Sequence, residues 1–494
     1  MEAKASGSIT IFSLLSMLLV AATLLTLLEG ARFFYIKRLA ELQTELALES
    51  TFANYNTHLW ESYRLLGCNQ MEMEEMLIQR ANGKYASDEK RLNTLILQVK
   101  EMDIQEYTLL TDGNGMAYVT AVSAYMEDNI LYETAKTLYN QYESMRNLQE
   151  TSQLDIANID VALESIKMAT EKKVPAKVTP ESSVGTARKG EIQKETQENP
   201  LEMIKEMSNK GILELVIQDT SSLSESEIVA DSRVSTRELS KGKSPRLCEC
   251  DWLDRVLLQQ YLLTYMSSYT DLLDGHWQAY ELEYLIGGKL TDIENLKAVA
   301  TQLYFIRAVA NFLYLSTDAA KMQEATALAT TLVGVSANPL LIEAVKVGLV
   351  TAWALAESIL DVRGLLQGKR IPLLKSQLSW TLALGNIGTL SSEYMVAKDS
   401  SWGLSYENYL GILLLFQNGN TLAMRAMDLQ EITIQKCFHE SDFKMDQLVI
   451  DAKVEVIYYY NPIFSSLEEV TQDKTWNYEV SSCVSYGYAG NASQ

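Results

Sequence analysis

Two short motifs bring together side chains that could do chemistry. Cys437-Phe438-His439 holds the closest Cys/His pair in the chain, and such a pair can form a thiolate nucleophile with its base. Cys248-Glu249-Cys250 places two thiols two residues apart, as in part of a metal site. However, side chains at i and i+2 do not face each other on a helix, and a zinc site needs four ligands. We therefore predict neither catalysis nor metal binding at these motifs.

The other residue types that carry chemistry are scattered. His58, His276 and His439 lie far apart, and His276-Trp277 precedes a predicted helix, where capping or packing is its expected role. Asp112-Gly113-Asn114-Gly115 is similar to part of a calcium loop, but the other ligands are not spaced correctly, so it predicts a turn. Nucleophile-elbow, zincin and phosphate-loop motifs do not occur. We predict no catalytic, cofactor-binding or metal-binding residues, and a chain that is not an enzyme.

The chain begins with an element suited to a membrane. Ile9–Leu28 holds twenty residues without a charge, which at about 1.5 Å per residue span about 30 Å, the thickness of a bilayer core. Its serine and threonine hydroxyls can bond back to carbonyls of the same helix. The lipid bilayer is therefore the first predicted partner of this chain.

The apolar segment is longer than that of a secretory signal, and no A-x-A cleavage pattern follows it. We predict a retained single-pass anchor in the cell membrane. Lys4 favours a cytoplasmic N-terminus, whereas Arg32, Lys37 and Arg38 favour the opposite orientation. The sequence leaves both orientations open, and we expect the bulk of the chain to be extracytoplasmic.

Composition excludes one class of partner. The 494 residues carry a formal net charge of -22, and no clustered basic surface is evident, so nucleic acid is not an expected partner. The five cysteines are few and dispersed, which excludes a small disulfide scaffold.

The interval between Tyr142 and Trp252 contains no aromatic residue and holds four of the seven prolines. Such a segment buries too little apolar surface to offset its ordering entropy. We predict a low-complexity, mostly disordered insertion over 170–245, with one short helix at Leu201–Ser208 and a transient strand at Ile212–Ile217.

Helical periodicity dominates the rest of the chain. It predicts helices that include Glu89–Thr108, and Leu340–Leu360, whose three charged residues favour a buried helix over a second membrane span. The pattern changes in Ile450–Val456, where apolar and charged residues alternate strictly, and again in Trp476–Tyr486. These segments predict two antiparallel strands, with an N-terminal strand as a possible third partner.

The predicted fold class is mainly α: a single N-terminal transmembrane helix, a long helical extracytoplasmic body and a small C-terminal antiparallel β element. The predicted division is linear along the chain. It comprises a short cytoplasmic lead (1–8), the transmembrane helix (9–28), a helical stalk and body (29–169), the insertion (170–245), a helical body (246–440) and C-terminal β-strands (441–494).

Several segments resemble a known family. The start Lys4–Phe12, the long apolar helix and Leu28–Arg32 are similar to pilin-like leaders of bacterial tight-adherence (Tad) pilus systems. Internal segments resemble an uncharacterised family of Firmicutes membrane-anchored proteins related to those pseudopilins. These segments are Glu281–Lys289, Gly368–Leu373, Leu404–Leu410 and Met424–Asp428.

The resemblance implies a protein whose bulk lies outside the cell and which assists, or belongs to, a secreted fibre or envelope complex. One departure concerns processing. A type IV pilin leader is cut after Gly, with Glu at the fifth mature position, whereas cutting after Gly7 would put Phe12 there and the first acidic residue after the apolar segment is Glu29. This argues against processing by a prepilin peptidase.

Two functions remain open at this point. The first is a surface-exposed pilin-like structural or assembly component that acts through protein–protein contacts, with Ala21-Ala22 allowing close approach of another pilin-like helix. The second is a membrane-tethered extracytoplasmic hydrolase or ligand-binding/sensor domain, which predicts a pocket with convergent polar groups. Glu29 either pairs with a basic group of a partner or marks the membrane boundary.

Overall fold

The computed structural model describes residues 5–82, 97–127, 132–151, 155, 157–171, 199–229, 233–247, 250–334, 338–391, 394–460 and 478–488. Its elements, in chain order, are α1 (Ala5–Phe52), α2 (Thr57–Tyr63), β1 (Cys68–Asn69), α3 (Gln70–Asn82), β2 (Gln98–Leu109), α4 (Met116–Glu127), α5 (Tyr132–Thr151), α6 (Ala157–Glu171), α7 (Pro200–Ser208), α8 (Ile212–Val216), α9 (Trp252–Tyr265), α10 (Glu281–Gly287), α11 (Asp292–Thr317), α12 (Ala319–Val333), α13 (Pro339–Leu366), α14 (Tyr406–Phe416), α15 (Gly419–Cys437), β3 (Leu448–Tyr460) and β4 (Tyr478–Gly487). The predicted mainly α fold class, with a long apolar N-terminal helix and a small antiparallel sheet, is confirmed.

The chain forms two compact units. The sheet unit comprises Met1–Asn129, Asp231–Leu258 and Ala426–Gln494. The helical unit comprises Ile130–Ala230 and Gln259–Arg425. Both units are discontinuous in sequence, so the division is not the linear one that composition predicts.

The sheet of the sheet unit is built around β3. This strand pairs antiparallel with β1, β2 and β4. Its residues alternate as predicted: Ala452, Val454, Val456 and Tyr458 are buried, whereas the alternate residues from Asp451 to Tyr459 are only partly buried. Since successive side chains of a strand point to opposite faces, one face of the sheet forms the core.

The helix predicted over Glu89–Thr108, within the helical stalk and body 29–169, is wrong for its second half, which forms strand β2. Residues 83–96 lie outside the described residues, and Gln98–Leu109 pairs along β3. The register shifts between Val99 and Glu101, between Ile104 and Glu106, and between Thr108 and Leu109. The first two shifts insert a residue in β2 and break its period of two, whereas the third inserts Ile450 in β3. The strand therefore lacks the alternation by which β3 is recognised, and it is the third partner that the sequence left unidentified.

The predicted disordered insertion also needs correction. Residues 172–198 lie outside the described residues, but 199–229 and 233–247 are folded. Helix α7 agrees with the predicted helix Leu201–Ser208, whereas the predicted strand Ile212–Ile217 is helix α8. Leu201, Leu215 and Val216 are buried against other helices of the helical unit. These short apolar segments can fold because the other helices of the helical unit supply the rest of the core in which they are buried.

Polar contacts order the later part of the same interval. In the sheet unit, the Arg237 guanidinium donates to Glu431 Oε2 at 2.8 Å and to Asp446 Oδ1 at 2.6 Å. Ser235 donates through its hydroxyl to Asp428 Oδ2 at 2.6 Å. Charge-assisted hydrogen bonds of this kind are stronger than neutral ones, so they can hold a segment that lacks aromatic anchors.

Three helical segments are long and apolar enough to cross a membrane by length and composition: Ile9–Phe52, Asp292–Thr317 and Pro339–Leu366. In the most apolar window of the first, none of the residues is buried, whereas about half are buried in the other two, 50% and 56%. Helix α13 is buried throughout Gly348–Leu366, as predicted for the segment Leu340–Leu360. The first segment alone among these three thus presents its apolar window without protein cover.

Candidate functional site

The apolar half-helix, Ile9–Leu28, is the first half of α1 and has an exposed surface. Its large side chains are 55–76% exposed apart from Leu25. The Ser16 hydroxyl donates to Ser13 O at 3.0 Å, and the Thr23 hydroxyl donates to Val20 O at 2.8 Å. The hydroxyls are therefore satisfied within the helix, as a bilayer requires.

The second half of α1 has one face buried on the sheet. Its buried residues recur every three or four positions and include Ile36, Ala40, Thr44, Leu48 and Phe52. They join a core with the buried face of β3 and with Val480 of β4. Two larger apolar residues of the same half, Leu42 and Leu46, lie off this face and remain 40% and 52% exposed.

Those exposed residues belong to a second line of side chains, here called the outer stripe. With 100° of rotation per residue, the outer stripe lies on the side of α1 opposite the face buried on the sheet. It runs from the apolar half-helix into the half that packs on the sheet, and every member is exposed. Its members are Met17, Ala21, Leu24, Leu28, Tyr35, Leu42 and Leu46.

Glu29 lies at the junction between the two halves of α1. Its Oε1 accepts a hydrogen bond from Arg32 at 3.2 Å, one helical turn away, and both side chains are partly covered. Tyr460, at the end of β3, lies near this carboxylate. Burial is the main cause that raises the pKa of Tyr460, and the negative charge of Glu29 is the second. The structure therefore places Glu29 in an ion pair of its own helix, beside the sheet.

A polar cavity of about 420 Å³ opens elsewhere in the sheet unit. The side-chain amide of Asn56, which lines the cavity, donates a hydrogen bond to Glu440 Oε2 at 2.7 Å. The backbone of His439, another lining residue, adopts the left-handed conformation at φ +62°. His58 stacks on Phe438 with ring centroids 4.4 Å apart. The other lining residues are Asn54, Tyr55, Gly67, Asn69, Glu72, Ser441, Asp442, Phe443, Lys444, Gln447 and Leu448.

The residues that the sequence singled out for nucleophilic or metal chemistry are described only in part. Cys437 ends α15 and His439 lines the cavity, while Cys248 and Glu249 lie outside the described residues. Cys68, Cys250, Cys437 and Cys483 form no disulfide among the described residues, and burial raises the pKa of Cys68 to about 11. Within the described ranges, no group of three or more His, Cys, Asp or Glu side chains is arranged to hold a metal.

Sequence reasoning missed a buried charge network in the helical unit. Arg307, Asp361, Lys375 and Glu357 have fully buried side chains. Arg307 Nε lies 3.0 Å from Asp361 Oδ2, and Lys375 Nζ lies 2.6 Å from Asp361 Oδ1. Although burial alone would raise the pKa of Asp361, Lys375 and Arg307 together hold it below its ordinary value. The two cations and two anions balance in charge.

This network fastens a segment that has little regular structure. Arg307 donates to the carbonyls of Pro372 and Leu373 at 2.9 and 2.8 Å, and Glu357 accepts from the Leu382 amide at 2.8 Å. These bonds tie residues 372–382 to α11 and α13. We therefore assign the network a structural role. The only sign of this network in the sequence was the presence of charged residues within two apolar helices, α11 and α13.

A second buried cluster contains carboxyl groups. His276 Nδ1 lies 2.7 Å from Glu281 Oε2, so His276, which was predicted to cap or pack, contacts a buried carboxylate. Glu283 accepts from the Tyr406 hydroxyl at 2.7 Å and from the Tyr269 amide at 3.0 Å. Burial raises the pKa of Glu283 to about 7. This carboxyl group therefore titrates in the physiological range.

Comparison with known proteins gives one match. A family model described as a family of unknown function (DUF5702) matches residues 190–460, a range that begins beyond α6 and ends with β3. No curated protein and no solved structure matches the chain.

Proposed function

The chain belongs to DUF5702, a family of unknown function, and we propose that it is a single-pass, membrane-anchored, pilin-like component of the bacterial envelope. In this role it acts through protein–protein contacts and carries its bulk outside the cell. The observation that carries the proposal is the single helix α1, which is apolar and exposed in its first half and packed on the sheet in its second.

The exposed half fits a bilayer by length and chemistry. Twenty uncharged residues span about 30 Å in a helix, and their hydroxyls are bonded internally. Leaving such a surface in water would be costly, because each buried methylene contributes about 0.8 kcal/mol. Lipid, or the apolar helix of another subunit, is the environment that this surface requires.

The outer stripe supports contact with another helix. Ala21, Leu28, Tyr35 and Leu42 follow one another at seven-residue intervals, the spacing by which one helix keeps a face towards a partner. Inside the bilayer, a small residue such as Ala21 allows close backbone approach. The stripe continues past the membrane boundary, so a partner helix can follow α1 in both environments.

Topology and assembly require separate tests. For topology, intact bacteria expressing the full chain with a C-terminal tag are treated with protease. Degradation of the body while a cytosolic control survives supports an extracytoplasmic bulk. Protection of the body would contradict the pilin-like role, and a cytosolic scaffold or enzyme would then be the better account.

For assembly, Ala21→Cys and Leu19→Cys are compared in membranes after oxidation. Two residues turn the helix by about 200°, so the two thiols lie on nearly opposite faces of α1. We expect a disulfide-linked dimer for Ala21→Cys and little for Leu19→Cys, with the unsubstituted chain reporting the background from its own cysteines. Equal crosslinking at both positions would indicate random collision and would count against a specific helix contact.

The polar cavity of the sheet unit favours a second candidate, a tethered ligand-binding domain. The cavity combines amide, carboxyl and imidazole groups around about 420 Å³, and His439 there has a left-handed backbone of the kind that clusters at binding sites. A thermal-shift survey of small polar ligands tests this candidate. A hit that Asp442→Ala abolishes would support it.

A further inference from the structure

A second cavity, of about 310 Å³, lies wholly within the helical unit. Its walls come from α6, α7, α8, α11 and α13. Six buried aliphatic side chains line its interior, each no more than 9% exposed: Ile159, Ile204, Met207, Leu215, Leu355 and Ile359. Phe305, at 44% exposure, carries the apolar lining out to the solvent.

The polar groups of this cavity leave one cation available. Lys205 Nζ is paired with Asp160 Oδ1 at 2.5 Å. Lys210 also lines the cavity, and it has no ion-pair partner in the part of the chain that the structure describes. Burial raises the pKa of Tyr304, so its phenol stays a neutral hydrogen-bond donor. The lining therefore carries one unbalanced positive charge beside an aliphatic interior.

This combination selects a class of ligand. Ligand cavities are mostly apolar with a few polar groups, and their volumes run from about 300 to 1,000 Å³, so this cavity lies at the small end. Apolar cavities stay dry and take up apolar molecules. A fatty acid combines an apolar chain with a single carboxylate, which matches the one available cation of this lining. We propose that this cavity binds a single acyl chain whose carboxylate pairs with Lys210. The proposal stands independently of the envelope role.

Photolabelling of the full chain in lipid nanodiscs tests the proposal. The probe is dodecanoic acid with a diazirine in mid-chain, and labelled peptides are mapped by mass spectrometry. We expect labels in the peptides that contain Tyr304-Phe305 and Leu355–Ile359, in addition to those from the apolar half-helix. Labels confined to the apolar half-helix would report bulk lipid alone and would overturn the proposal.

Competition resolves the role of the charge. Unlabelled dodecanoate should suppress cavity labelling about twofold to fivefold more effectively than its methyl ester, the size of an exposed ion pair. Lys210→Glu should remove this preference. Lys289→Glu is the matched control, because Lys289 is equally an exposed lysine of the helical unit that does not line the cavity, and it should keep the preference. Equal competition by acid and ester in the unsubstituted chain would contradict the carboxylate assignment.

A cavity-filling variant gives an independent result. Leu355→Phe enlarges a wall side chain, so labelling in α11 and α13 should fall by more than half while the helix content stays constant. Unchanged labelling in a folded Leu355→Phe chain would place the probe outside the cavity and overturn the proposal. Phosphatidylglycerol, which has two chains, should compete poorly, and competition equal to that of dodecanoate would exclude the single-chain assignment. If Leu355→Phe does not fold, the Lys210→Glu comparison still decides.

Discussion

The hydroxyl oxygens of Thr44 in α1 and Tyr458 in β3 lie 2.9 Å apart in the core of the sheet unit. The direction of the bond follows from a second contact, because Thr44 already donates its proton to Ala40 O at 2.8 Å. Tyr458 is therefore the donor and Thr44 the acceptor. This bond connects the helix that carries the apolar half-helix with the central strand of the sheet.

Thr44→Val should destabilise the sheet unit by about 1–3 kcal/mol, since it leaves the buried Tyr458 hydroxyl without its acceptor. Hydrogen exchange of the β3 amides measures the effect. Tyr458→Phe combined with Thr44→Val should recover part of the loss, because no polar group is then left unpaired. Thr51→Val is the control, since the buried Thr51 hydroxyl bonds to Ala47 O within its own helix. An equal loss in both valine variants would show that the contact with Tyr458 contributes nothing.

Leu18→Arg should release the chain from membranes. A charge at the centre of a membrane helix costs about 2.5–3.5 kcal/mol, and Leu18 lies at the middle of the apolar half-helix. Extraction of membranes at alkaline pH measures retention. Leu46→Arg is the control, because Leu46 lies on the same helix beyond the apolar segment and is 52% exposed, against 58% for Leu18. Membrane retention of Leu46→Arg should be unchanged. Retention of Leu18→Arg at the level of the unsubstituted chain would contradict membrane anchoring.

Glu283 should make the helical unit less stable as pH rises. Burial raises its pKa from 4.5 to about 7, so between these values the folded state binds more protons than the unfolded state. The free energy of unfolding then falls as pH increases from about 4.5 to 7, by up to about 3 kcal/mol, and levels off above. Urea unfolding followed by the fluorescence of the buried Trp353 and Trp380 measures this slope.

The variant Glu283→Gln isolates this contribution, because the amide keeps the shape and does not titrate. Its unfolding free energy should lose the decline between pH 4.5 and 7, while the exposed Glu294→Gln retains it. A slope that is identical in Glu283→Gln and the unsubstituted chain would show that another group is responsible.

Asp361→Asn should destabilise the helical unit by about 3–5 kcal/mol, since it leaves the buried Arg307 and Lys375 facing a neutral group. The same tryptophan fluorescence measures the loss. Glu343→Gln removes the partner of Lys346 at the surface, where Glu343 is 62% exposed, and should change stability by less than about 1 kcal/mol. Similar losses in the two variants would mean that the buried network is worth no more than a surface pair.

Local patterns predicted those elements whose signal lies in their own residues. The apolar run of α1 and the alternation around Val454 needed no other part of the chain. Strand β2 was hidden because bulges interrupt its alternation and because its pairing with β3 joins segments that are more than three hundred residues apart. Segments 199–229 and 233–247 were wrongly predicted to be disordered because partners elsewhere in the chain, such as Asp446 for Arg237, hold them in place.

The candidate surfaces show the same division. The apolar half-helix could be predicted from composition, but the face of α1 that is buried could not, because Ala40 and Thr44 fill it while the larger Leu42 and Leu46 remain outside. The buried charge network was even harder to predict from the sequence, since Arg307 and Asp361 lie far apart in the chain and only the folded helices bring them together. The expected absence of cofactors and of catalytic residues stays a prediction.

The continuity of α1 has a mechanical consequence. Its 48 residues form a rod about 72 Å long without an internal joint, so a tilt of about 10° at one end displaces the other by about 12 Å. A pull on the N-terminal end of α1 would load the contacts of Ile36, Leu48 and Phe52 with the sheet in shear, in parallel rather than one after another. A force along the axis of α1 would therefore pass to the sheet through side-chain contacts, which include the hydrogen bond between Thr44 and Tyr458.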